Sequence, residues 1–193
     1  MTTRILAISG SLRRTSLNTN LLRQAEAIAG RGATFDYFDR LPAIPLFSED
    51  EEHPAPAPVA DLRDRVRTAD AVLIATPEYN ASIPAGLKNA LDWLSRSDST
   101  GGPALVRKPV AIMGASGGQL GTVRAQLALR QVLHSMSARV LDKPELLLFR
   151  AHEQFDESGV LPEGSRAHAA LLGILDGLAD LVTQRGTPHP ATR

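Results

Sequence analysis

A chain of 193 residues suits one domain with a full core, and its 21 Lys+Arg against 21 Asp+Glu leave no excess charge to recommend nucleic acid or an anionic membrane as partner. Cysteine is absent, which excludes disulfides, thiol catalysis and zinc–thiolate centres together. The longest apolar run, Ala71 to Ala75, falls far short of the ~20 residues of a membrane span, and no charged-then-apolar leader precedes Ile5, so a cytoplasmic protein is the expectation.

Ile5 to Ile8 is a short apolar run that stops at Ser9-Gly10, and a helical pattern begins near Asn18, so the chain opens as strand, polar loop and helix. A helix N-terminus offers free N–H groups and the positive end of a dipole, both suited to a phosphate. Around it the loop supplies the hydroxyls of Ser11, Thr15 and Ser16, the Asn18 amide, and the guanidinium groups of Arg13 and Arg14. Rival phosphate loops fail on inspection. No glycine occurs between Gly10 and Gly30, so there is no dinucleotide fingerprint, and no lysine precedes Lys88, so there is no nucleotide-triphosphate loop. A helix cap without a ligand is the other reading of these hydroxyls taken alone.

Leu21, Ala25 and Ile28 recur at helical spacing up to Gly30, and Thr34 to Phe38 reads as a second strand. From Asp39 to Pro58 the prolines Pro42, Pro45, Pro54, Pro56 and Pro58 and the acidic run Glu49 to Glu52 read as a solvated surface connection, with an active-site wall as the alternative. A charged helix over Val59 to Thr68 leads to the buried strand Ala71 to Ala75 and a loop from Thr76 to Pro84. The next helix places Leu87, Ala90, Leu91 and Leu94 on one stripe. Pro109 to Ala115 is the fourth strand and ends in a turn, Ser116 to Gly121. A helix from about Thr122 to Ser137, a strand around Glu145 to Phe149 and a helix from Arg166 to Gln184 follow, with 186–193 expected to fray. Such alternation predicts a single doubly wound α/β domain over 1–185, with ligands beyond the carboxyl ends of its parallel strands. Three polar loops meet that condition: Gly10 to Asn18, Pro77 to Pro84, and Ser116 to Gly121.

Taken together, GSLRRTSLN at Gly10 to Asn18, TPEYNASIPAGLKNALDWLS at Thr76 to Ser95 and the turn at Ser116 to Gly121 resemble the NAD(P)H-dependent FMN reductase family, nearest its members called quinone, chromate or azo reductases. The resemblance runs from Arg4 to about Phe149. It implies a flavodoxin-like fold, a five-stranded parallel sheet in the order 2-1-3-4-5, with one FMN per subunit and NADH or NADPH as co-substrate. By the same match, Ser11, Arg13, Ser16 and Asn18, with Leu17 between them, fall to the FMN phosphate. Pro77, Glu78, Tyr79 and Asn80 fall along the isoalloxazine and ribityl chain, and Ser116 with Gly117 closes the third side.

The chemistry then rests on the flavin, and no catalytic side chain is required of the protein. The histidines His53, His134, His152, His168 and His189 are scattered, and none pair at the spacing of helical metal ligands, so no metal site is expected. Glu78, the acidic residue of the cleft loop, is either a loop-fixing acceptor or a general acid. Arg13 or Arg14 faces the phosphate, and the other is expected at the rim, where it attracts the phosphates of NAD(P)H. The expected activity is ping-pong transfer from NAD(P)H to a quinone, flavin, azo compound or metal oxyanion. The rival is a flavodoxin-like electron carrier docking to redox proteins, and the balanced charge speaks against it, since such carriers are strongly acidic. Trp93 projects about 120° from the core stripe of its helix and is expected to be buried against a second chain of a homodimer or homotetramer. Packing under its own Ser95 to Lys108 loop is the alternative.

Overall fold

The computed structural model describes residues 2–184. β1 (Thr3–Ser9) leads through the polar loop into α1 (Leu17–Ala29). There follow β2 (Ala33–Phe38), α2 (Ala57–Thr68), β3 (Ala71–Ala75), α3 (Ala85–Leu94), β4 (Pro109–Ala115), α4 (Val123–Ser135), β5 (Arg139–Val140), β6 (Leu147–Leu148) and α5 (Arg166–Gln184). All ladders are parallel, in the order β2-β1-β3-β4-β5, with β6 also beside β4. The flavodoxin-like order implied by the family resemblance is present. The tail at 186–193 lies outside the described residues.

The fifth position of the sheet corrects the expectation of one strand around Glu145 to Phe149. β5 pairs with the start of β4 (Pro109↔Arg139) and β6 with its end (Gly114↔Leu147). Between them Pro144 has no N–H to give a ladder, and the chain leaves the sheet to pack on α5. Two glycines make that approach possible: a Cβ on Gly173 would lie 2.9 Å from Pro144 Cγ, and one on Gly177 2.8 Å from Leu141 Cδ1.

Alternation along the strands divides the core into two layers. Leu6, Ile8, Val72, Ile74, Val110 and Ile112 face α2, α3 and α4. On the other side Ala7, Ala71, Ala75, Ala111 and Ala115, with Ile5, Leu73 and Met113, face α1 and α5. The small side chains let α1 lie close over the carboxyl ends of β3 and β4, where the three polar loops meet.

The 39–58 segment is not a solvated connection. Leu41 and Ile44 are buried in the core, and Glu52 is buried with its Oε1 2.5 Å from Arg96 Nε. The segment forms a strap across α3. Trp93 Nε1 and Asn89 Nδ2 both donate to the Pro45 carbonyl at 2.8 Å, and Phe47 N–H donates to Asn89 Oδ1 at 2.8 Å. Phe47 meets Trp93 edge-on at 5.0 Å. Trp93 is thus 0% exposed within its own chain. Neither the expected burial against a second chain nor the alternative under the 95–108 loop describes it. The helical wheel correctly turned Trp93 off the core stripe, and the strap supplies the cover.

Candidate active site

The first loop is built by side chains that bind backbone. Gly10 N–H donates to Ala75 O at 2.8 Å, joining the ends of β1 and β3. Ser16 is the N-cap of α1: its Oγ accepts from the N–H groups of Asn18 at 3.1 Å and Thr19 at 3.2 Å. Asn18 is buried and reaches β4, where Nδ2 donates to Ala115 O and Oδ1 accepts from Ala115 N–H, both at 2.9 Å. Ser11 Oγ accepts from Arg13 N–H at 3.4 Å, and the Arg13 guanidinium donates to Thr15 Oγ1 at 3.2 Å.

The second loop starts at buried Thr76, whose N–H donates to Met113 O at 3.0 Å. Tyr79 and Ser82 exchange two backbone hydrogen bonds of 3.0 Å across Asn80 and Ala81, which have φ of 50° and 64°. This is the two-residue turn with both central residues left-handed. Glu78 anchors the loop to α4. Its Oε2 accepts from the N–H groups of Arg124 at 2.9 Å and Ala125 at 3.2 Å, while Oε1 accepts from Arg124 Nε at 2.6 Å. Thr122, the residue at the N-cap of α4, makes no side-chain cap bond, so Glu78 caps that helix from another segment. Burial alone would raise the Glu78 pKa, but the Arg124 side chain and the two backbone N–H groups outweigh it and hold the carboxylate below its ordinary range. Held ionised in this way, Glu78 is a loop-fixing acceptor and has no proton to give at neutral pH.

The third loop rests on the segment after β6. Ser116 N–H donates to Leu148 O, Arg150 N–H to Gly118 O and Ala151 N–H to Ser116 O, each at 2.9 Å. Behind it Gly114 is obligatory, because a Cβ there would overlap the Thr122 side chain and stand 2.5 Å from the Thr76 carbonyl.

The loops enclose a cavity of ≈ 150 Å³. Its walls include Ser11, Arg13, Ser16, Leu17 and Asn18 from the first loop, Pro77, Glu78 and Tyr79 from the second, and Ser116 and Gly117 from the third. Asn80, expected with them, lines instead a neighbouring cavity of ≈ 570 Å³, and Tyr79 borders both. Arg13 lines the cleft and Arg14 does not. One wall residue was missed: Ala115, an apolar strand end whose sequence carries no sign of a ligand. Among the described residues no cluster of His, Asp or Glu could hold a metal.

The donor set fits the phosphate of FMN. The Ser11 and Ser16 oxygens already receive N–H groups, which leaves each O–H free to donate outward. The N–H groups of Thr15 and Leu17 have no protein acceptor among the described residues. Arg13 adds a charge, and Arg124 neutralises the one carboxylate in the walls. Asn18, with Oδ1 and one N–H committed to Ala115, retains a single N–H for a ligand.

Comparison with known proteins points the same way. The chain is 42% identical over 159 residues to an NAD(P)H-dependent FMN reductase of Pseudomonas aeruginosa, covering 82% of this chain and 84% of that one. It is 36% identical over 186 residues to a 2-hydroxy-1,4-benzoquinone reductase of Burkholderia sp., covering 96% and 99%. Its fold matches FerB, a flavoenzyme NAD(P)H:(acceptor) oxidoreductase from Paracoccus denitrificans, with a TM-score of 0.86 at 30% identity, over 96% of this chain and 100% of that one. The profile of the NADPH-dependent FMN reductases matches residues 3–153. The chain belongs to the NADPH-dependent FMN reductase family.

Proposed function

We propose that this protein is a cytoplasmic, FMN-containing oxidoreductase that oxidises NADH or NADPH and passes the electrons to a small acceptor in a ping-pong cycle. The observation that carries this reading is a cradle of donors at the carboxyl edge of the sheet with no acid–base or nucleophilic constellation around it. Bound FMN supplies acceptance of hydride at its ring and its return to a second oxidant. The protein's own part is to bind, orient and leave one face open. Ser11, Arg13, Ser16 and Leu17 hold the phosphate, with Asn18 fixing that loop to β4. Pro77, Glu78, Tyr79 and Asn80 border the ribityl chain and ring, and Ser116 and Gly117 form the third wall. Arg14, exposed beside the cleft, attracts the phosphates of the nucleotide. The relatives named as benzoquinone and quinone reductases make quinones the first acceptor class to test, ahead of flavins, azo compounds and metal oxyanions. The working unit is a homodimer or homotetramer.

Steady-state oxidation of NADH and NADPH by the purified yellow protein, with benzoquinone as acceptor, tests this reading. Parallel-line kinetics are expected. A colourless protein that takes up no added FMN overturns it, and a yellow protein that oxidises neither nucleotide would make it an electron carrier.

A further inference from the structure

Neither Ser9 nor Thr19 is among the walls of the cleft, yet their hydroxyls meet behind its first loop. Alternation along β1 puts Ser9 on the α1 side of the sheet, in line with Ile5 and Ala7. A hydroxyl in that half-buried place needs partners, and Ser9 Oγ has three. It accepts from Thr19 Oγ1 at 3.0 Å and from Ser11 N–H at 3.3 Å, and it donates to Ser11 O at 3.3 Å. Two bonds accepted and one given use its whole capacity. The direction of each is therefore fixed: Ser11 N–H can only donate and Ser11 O can only accept, which leaves the Thr19 hydroxyl as the second donor.

Thr19 is the unusual member of this group. In a helix a threonine hydroxyl ordinarily returns to a carbonyl three or four residues back, whereas that of Thr19 leaves α1 for the end of β1. Thr19 thereby reaches both hydroxyls of the phosphate cradle. Its N–H donates to Ser16 Oγ at 3.2 Å, and its own hydroxyl reaches Ser11 through Ser9. With the Ser11 N–H and carbonyl both turned to Ser9, the Ser11 side chain is left for the cleft, where its Oγ accepts from Arg13 N–H at 3.4 Å. One line of hydrogen bonds thus runs from Thr19 through Ser9 and Ser11 to Arg13, from the frame of the fold to the charged residue of the cradle.

We propose that Thr19 is a positioning residue of the FMN phosphate site: acting through Ser9, its hydroxyl fixes the direction in which Ser11 and the Arg13 backbone meet the phosphate. Without that hydroxyl, Ser9 Oγ loses a donor, and its own proton is free to turn away from the Ser11 carbonyl. The first loop is then less ordered before it binds, and the ordering falls to the ligand, which lowers affinity. The proposal rests on the FMN reading above and extends it to two residues outside the cleft.

Fluorescence titration of the flavin-free chain with FMN and with riboflavin tests it. Thr19→Val keeps the branched shape and removes the hydroxyl. FMN binding is expected to weaken about 5- to 10-fold, the worth of one neutral hydrogen bond, while binding of riboflavin, which has no phosphate, holds. Thr19→Ser, which keeps the hydroxyl, is expected to bind FMN as the wild type does. Ser9→Ala is expected to reproduce the loss seen with Thr19→Val, and the double variant to add nothing to it, because the two side chains act along one line. A Thr19→Val chain that binds FMN as tightly as the wild type, that loses FMN and riboflavin alike, or whose loss adds to that of Ser9→Ala overturns this inference alone. Should Thr19→Val not fold, Ser9→Ala decides by the same comparison of the two flavins. A wild type that binds neither flavin overturns the FMN reading and this inference with it.

Discussion

Arg13 is the charged side chain that the first loop turns toward its own cleft, donating to Thr15 Oγ1 on the way. A charge-assisted hydrogen bond to phosphate is worth roughly 1.5 to 3 kcal/mol, so Arg13→Ala should weaken FMN binding about 10- to 100-fold. Arg14→Ala should leave it unchanged, and fluorescence titration of the apoprotein reads both. Glu78→Gln tests the second loop. The folded-state pKa of Glu78 is depressed, so its stabilising contribution is present above the unfolded value of about 4.3 and is lost as pH falls through the folded value. The variant should be less stable than wild type at pH 7, with the difference narrowing in acid, as urea unfolding at both pH values would show. The hydroxyls and the Arg13 guanidinium that line this cleft stood out in the sequence because a polar loop between a strand and a helix start gathers donors suited to an anion. The Asn18–Ala115 contact did not, since it joins residues 97 apart, and Ala115 has no chemistry to advertise.

Among the elements, the regular ones could be read directly. β3 and β4 are continuous apolar runs, buried on both faces, and their bounds match those expected. The strap could not be read, because its prolines break every periodicity and its partners lie 42 to 48 residues away on α3. Nor could the ion network that holds the far end of α3. Arg63, fully buried on α2, donates to the Trp93 carbonyl at 3.0 Å and lies 3.6 Å from Asp98, which Arg67 also meets at 2.8 Å. Burial by itself would raise the Asp98 pKa, but hydrogen bonds from Arg67 and Thr100 prevail and depress it far below the carboxylate range. The sign follows from linkage: Asp98 stabilises the fold above its unfolded value of about 3.9, and the stabilisation drains away as pH falls below that. Thermal melts from pH 7 to pH 3 should show a steep acid loss in wild type and a shallower one in Asp98→Asn, from a lower starting stability. Parallel curves would mean that Asp98 is not the linked group.

At the scale of the whole molecule, the alternation of strands and helices gave the doubly wound class and the family resemblance implied the strand order, while the split of the fifth position into β5 and β6 depended on how Pro144 meets α5. The cleft joins segments from β1, β3, β4 and the stretch after β6, so a ligand there bridges elements that unfolding must separate. Binding to the folded state alone adds about 2.7 kcal/mol at a hundred times the dissociation constant. With about 2–4 °C per kcal/mol for a chain of this size, saturating FMN should raise the melting temperature of the apoprotein by roughly 5–10 °C. Riboflavin, which lacks the phosphate, should raise it far less. Equal shifts would remove the phosphate cradle from the account of binding.

The side chain of Asn18 is a peptide group in miniature. β4 runs on to Ala115 after its pairing with β3 has stopped at Met113, and where a longer β3 would have exchanged N–H and C=O with Ala115, the Asn18 amide performs the same exchange at 2.9 Å in each direction. It acts as a one-residue strand borrowed from a helix, and it ties the phosphate loop to the backbone that launches the third wall. Residues of nearly the same size cannot imitate it. Aspartate presents two acceptors, one of them to the Ala115 carbonyl, and leucine presents none. Asn18→Asp should therefore lose about 1–3 kcal/mol of stability at neutral pH and bind FMN more weakly. The defect should shrink in mild acid, where a protonated carboxyl again offers one donor beside one acceptor. Such recovery on acidification, in a protein whose wild type weakens over the same range, would show that what matters at this position is the order of donor and acceptor.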